Sequence, residues 1–156
     1  MKMKRIVNYV MCLCVMLVAM TACSGKGDNG LIGKWEQTVD ANGVKTVVTY
    51  DFQNSGKLRQ TMVMKNDAPH IFIDAEGVCE YSYSEADKMI NFKFSGSDFN
   101  FKAFEIEGVS DDQVEFAMED MKSDMVNIEQ EFTDVNIEGD RMTAKFNGMQ
   151  LTLKRI

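Results

Sequence analysis

The chain has 156 residues, 45% of them apolar, and carries 24 Asp+Glu against 17 Lys+Arg for a net charge of −7. A chain of this sign repels nucleic acid and anionic head groups, which argues against charge-driven binding to either. With four cysteines, one histidine and one proline, it is poor in residues for disulfide frameworks, metal clusters and kinked linkers.

The N-terminus begins with a positive stretch, Lys2, Lys4 and Arg5, followed by the almost wholly apolar run Ile6 to Ala19. These are the two leading parts of a secretory signal. Met20-Thr21-Ala22-Cys23 comes next, and the small Thr21 and Ala22 suit a signal-peptidase pocket directly before Cys23. Cys12 and Cys14 follow the bulky Met11 and Leu13 and do not suit it. The segment resembles a bacterial lipoprotein signal, with Met20 where that family usually carries Leu. The resemblance implies a signal peptide over 1–22, acylation of Cys23, and attachment to the lipid bilayer of the cell envelope through that residue. The outer membrane is favoured and the membrane face is left open. An uncleaved transmembrane anchor, which needs about 20 apolar residues, is the alternative.

Cleavage before Cys23 leaves 134 residues, enough for one domain with a real core. The removed charges are all basic, so the remainder has a net charge near −10 and its membrane attachment must come from lipid. One acyl chain, at about 0.8 kcal/mol per buried methylene, binds only marginally, whereas several hold durably. With Cys23 lipidated, Cys79 is the sole remaining cysteine and has no disulfide partner. Cys79 sits in an alternating run and reads as a small core residue. His70 follows Pro69 in a polar turn and reads as a solvated loop residue, with no companion ligand nearby.

Residues 23–30 form a lipidated, Gly- and Ser-containing tether. From Leu31 onward the pattern has period two, broken by Gly, Asn and Asp. Val44 to Phe52 puts Val44, Thr46, Val48, Tyr50 and Phe52 on one face; Leu58 to Lys65 puts Leu58, Met62 and Met64 on another. Further runs are Val78 to Ser84, Met89 to Ser95 and Phe99 to Ile106. In them Tyr81, Tyr83, Ile90, Phe92, Phe94, Phe99 and Phe101 alternate with polar residues. Asp140 to Phe146 and Met149 to Arg155 flank Asn147-Gly148, the preferred two-residue hairpin turn. About eight to ten strands with short connections predict an all-β, antiparallel up-and-down barrel over 31–156, which removes exposed edges.

One stretch breaks the alternation. Val114, Met118, Met121, Met125, Ile128 and Phe132 recur at helical spacing, and Ser110 with Gln113 matches a capping box. Val114 to Met118 also fits a short strand. The expectation is a strand to about Met118, then a short helix or irregular segment over 119–131, its methionines filling core.

Gly33-Lys34-Trp35 opens the first strand, Tyr50-Asp51-Phe52 leads into Asn54-Ser55-Gly56, and Leu151-Thr152-Leu153-Lys154-Arg155 closes the chain. Together they resemble the lipocalin-like domain, closest to that of the short lipoproteins of Bacteroides-type bacteria. The acidic, methionine-rich Glu119 to Glu131 departs from the family pattern. The resemblance implies that Trp35 closes one barrel end beneath a basic residue from the chain end, Arg155, or Lys154 in another register. A cation over an indole gains about 0.5–2 kcal/mol.

Two interiors are open to such a barrel. In one it is hollow and binds a small apolar ligand, lined by Tyr50, Phe52, Met62, Met64, Tyr81, Tyr83, Phe92 and Phe94. In the other these side chains fill a solid core, and the protein acts through its outer surface as an interaction or structural protein of the envelope. Catalysis needs a convergent acid, base or nucleophile, and the acidic residues are instead spread along turns and strand faces, so no enzyme activity is expected. Asp111-Asp112 and Glu119-Asp120 lack calcium-loop spacing, so neither a metal nor another cofactor is expected.

Overall fold

The computed structural model describes residues 30–156. The expected signal segment, Cys23 and the tether up to residue 29 lie outside them. Among the described residues, nine strands and one helix follow in chain order: β1 Gly33–Ala41, β2 Val44–Phe52, β3 Lys57–Asp67, β4 His70–Ser84, β5 Met89–Phe92, β6 Phe99–Ile106, α1 Asp111–Met125, β7 Gln130–Glu138, β8 Arg141–Phe146 and β9 Met149–Arg155.

Going round the molecule, β1, β2, β3, β4, β5, β7, β8 and β9 each pair antiparallel with the next, and β9 returns to β1. The result is a closed, antiparallel, eight-stranded barrel. β6 is the extra strand and pairs with β4 alone, Ile71 opposite Ile106 through Gly77 opposite Phe99. The fifteen residues of β4 allow this: β3 pairs with it from His70 to Glu80, β6 takes the opposite edge over Ile71 to Gly77, and β5 pairs beyond, over Tyr81 to Ser84. Closure is thinnest between β9 and β1, which share only the pairs Trp35–Arg155 and Glu36–Lys154, and next between β5 and β7, which share Ile90–Phe132, Asn91–Glu131 and Phe92–Gln130. Backbone bonds from Asn127 N–H to Phe94 O (2.7 Å) and Val135 N–H to Lys88 O (2.9 Å) extend the β5–β7 seam.

The alternation read from the sequence sets the inner face. Thr46, Val48, Tyr50 and Phe52 of β2 are buried, as are Leu58, Gln60, Met62 and Met64 of β3. Asn147 and Gly148, at φ 50° and 78°, make the tight turn expected between β8 and β9. Two runs differ from expectation. The strand expected from Val78 begins at His70, and that expected to reach Ser95 ends at Phe92. Its continuation, Phe94, turns inward instead and is fully buried against Phe92 and Phe99. That packing depends on Gly77, because a Cβ there would lie 2.8 Å from the Phe94 ring.

The strand expected over Val114 to Met118 is not formed; α1 begins at Asp111. Gln113 Oε1 accepts the Ser110 backbone N–H at 3.2 Å, and Asp111 and Asp112 place negative charge at the helix N-terminus. Strand geometry would also put Phe116 on the face of Val114 and Met118, whereas it points outward and is 60% exposed. Only Ala117 of the helix is buried, and Met121 and Met125 pack against the core from its edge. The helix ends at Met125; Ile128 is exposed, and Phe132 belongs to β7.

Candidate functional site at the open end of the barrel

The two ends of the barrel differ. At one end Trp35 is fully buried, its indole N–H donating to Leu31 O at 2.8 Å. The Arg155 guanidinium lies 4.3 Å from the Trp35 ring centroid and donates to Ile32 O at 2.7 Å and to Gly30 O. This stack needs Gly33, at φ +129°, where a Cβ would meet Arg155 Nη1 at 2.8 Å. Above it the interior is solid: Phe92 and Phe132 meet edge to face at 5.3 Å, as do Tyr50 and Phe132. Such pairs add about 0.5–1.5 kcal/mol each to area burial.

The β1–β2, β3–β4 and β8–β9 turns crowd the opposite end. There the interior opens into a cavity of about 190 Å³. Its walls come from the inner faces of β1 (Gln37, Val39), β2 (Thr46, Val48, Tyr50) and β3 (Gln60, Met62). Phe146, Asn147 and Leu151 close the side formed by β8 and β9, and the end of α1 with its link to β7 (residues 124, 125 and 128–130) forms the rim. Tyr50 and Gln60 face each other across β2 and β3, while Thr46 pairs with Met64 nearer the mouth. The separation from Thr46 to Tyr50 along β2 is about 13 Å at strand rise.

Thr46 is 1% exposed and Gln60 7%, yet Thr46 Oγ1 and Gln60 Oε1 have no hydrogen-bond partner among the described residues. A buried polar atom left unpaired costs about 1–3 kcal/mol, so two of them on one cavity wall mark a place where something polar fits. Arg141 Nε is also buried without a partner, but Arg141 follows the β7–β8 turn at the closed end.

Of the residues singled out from sequence, Tyr50 and Met62 line this cavity. Phe52, Met64, Phe92 and Phe94 lie in the packed core and are absent from its walls. Tyr81 packs edge-on to Phe52 at 5.1 Å and donates its hydroxyl to Gln53 O at 3.2 Å. Tyr83 is half-buried further along β4. Burial raises the pKa of both phenols above the ordinary value. Cys79 is in the core, where burial pushes its thiol up to about 11 and leaves it protonated at neutral pH. His70 is exposed at the start of β4, its ring nitrogen 3.1 Å from Glu105 Oε2.

Gln60, absent from the residues expected to line the cavity, sits between Leu58 and Met62 at the inward parity. A polar residue interrupting an apolar face was the available signal. The rim residues of α1 carried no such signal, because only the tertiary fold brings that segment to the mouth. No protein-family model matches the chain, and no curated protein matches it significantly.

Proposed function

We propose that the protein is a lipid-anchored lipoprotein of the cell envelope whose lipocalin-like barrel binds a small molecule at its open end. The observation that carries the reading is the asymmetry of the barrel: Trp35 and Arg155 seal one end, and a cavity of about 190 Å³ lies at the other. Its size speaks for a compact ligand. A cavity of about 150 Å³ accepts benzene, so a long acyl chain does not fit whole, and one ring with short substituents does. The anchor rests on Met20-Thr21-Ala22-Cys23. Gly30, where the described chain starts, is held by Arg155 at the sealed end. Six residues separate it from Cys23, a reach of at most about 25 Å over seven Cα steps. An acylated Cys23 therefore tethers the barrel from its sealed end.

Two measurements test this. Cys23→Ala is expected to abolish palmitate labelling of the full chain; labelling equal to wild type removes the anchor. Native mass spectrometry of the chain extracted from its own membrane is expected to show a bound molecule of roughly one-ring size. A chain that carries nothing and accepts no small probe would move the function to the outer surface.

A further inference from the structure

The walls of the cavity are chemically sorted. Its deep part has the buried, unpartnered Gln60 Oε1 opposite Tyr50, and a second such atom, Thr46 Oγ1, lies nearer the mouth. Its middle is apolar, with Val48, Met62 and Leu151. Its rim includes two carboxylates, Asp124 and Glu129, and no Lys or Arg is among the lining residues. Neither carboxylate forms an ion pair among the described residues, and the whole chain is acidic.

A neutral apolar ligand would leave Thr46 and Gln60 unpaired and desolvated. An anionic one would meet uncompensated negative charge at the mouth. Resting on the binding reading above, we propose that the ligand class is a small amphipathic cation: a hydrogen-bonding group at one end, a body of about one ring, and a protonated amine at the other. The polar group pairs with Gln60, whose amide presents either a donor or an acceptor according to its flip, while Thr46 Oγ1, nearer the mouth, accepts from the amine end. The ring lies among Val48, Met62 and Leu151. The ammonium sits at the rim between Asp124 and Glu129, still partly in water, so it loses little hydration on binding.

Three probes separate the contributions: tyramine, phenethylamine (which lacks the hydroxyl) and tyrosol (which has an alcohol in place of the amine). Binding of each to the full chain in detergent is measured by calorimetry. Tyramine is expected to bind about fivefold or more tighter than tyrosol, a gap that narrows with added salt. The double variant Asp124→Asn/Glu129→Gln, altered only at exposed positions, is expected to close the gap while leaving tyrosol affinity unchanged. Gln60→Leu is expected to weaken tyramine and tyrosol but not phenethylamine. Equal binding of tyramine and tyrosol to the wild type overturns the cationic assignment and leaves the cavity as a binding site. Binding of none of the three overturns the binding reading itself.

Discussion

Arg155 holds the sealed end of the barrel through its charge and its shape together. The guanidinium lies over the Trp35 face, and its planar fork reaches two backbone carbonyls of the segment entering β1. Lysine supplies the charge but not the fork. Trp35→Ala is expected to lower the unfolding free energy by about 3–5 kcal/mol, the range for emptying a large buried aromatic site. Arg155→Lys should cost about 1 kcal/mol, roughly one net hydrogen bond. Urea denaturation checks both, and an unchanged midpoint in Trp35→Ala would mean that the indole bears no packing load. At this scale the apolar residues were legible, because hydrophobicity at fixed parity reports burial directly. Gln60 was less legible: its inward position follows from parity, but its lack of a partner depends on what the other strands bring opposite.

Among elements, β3, β4 and β6 are tied on the outer face by Glu76. Its carboxylate oxygens lie 2.6 Å from Arg59 Nη1 on β3 and 2.6 Å from Lys102 Nζ on β6. The hydrogen bond from Lys102, then the charges of Arg59 and Lys102, hold Glu76 below its ordinary value near 4.5, against the opposing effect of partial burial. A carboxyl with a lowered folded pKa contributes stability that is complete above the unfolded value and lost as pH falls through the folded one. Glu76→Gln should therefore destabilise at pH 7, by about 1 kcal/mol or less per exposed bridge, and should matter less at pH 3. Thermal melts at the two pH values check this; an equal deficit at both would show that packing, not charge, is lost. The helix over Val114 to Met118, where a strand was expected, is settled at this scale too. Both periods fit five residues, and the longer 4-3-4 stripe with its Ser110–Gln113 cap decided for helix.

At the scale of the whole molecule, closure is the event on which the fold depends. β9 joins β8 to β1, although β1 stands more than a hundred residues earlier in the chain. Removing residues 149–156 deletes Leu151, Leu153 and Arg155 and opens two strand edges at once. The truncated chain is expected to lose its near-ultraviolet dichroism and to aggregate on gel filtration, as exposed edges do. A monomer with native dichroism would show that the ring closes without β9.

The inward faces of β2, β3 and β5, the position of the β8–β9 turn and the all-β class were set by the chain's local pattern, whereas β7 and the first half of β4 were not legible as strands. The legible features follow from local alternation and from turn residues whose φ preferences are intrinsic. The cavity was decided by tertiary structure alone. β6 pairs only with β4, α1 occupies the length between β6 and β7, and its end with residues 128–130 reaches the mouth opposite Thr46 and Gln60. No local pattern encodes that meeting, because it depends on how far β4 extends and on which strand β7 finds to close the ring.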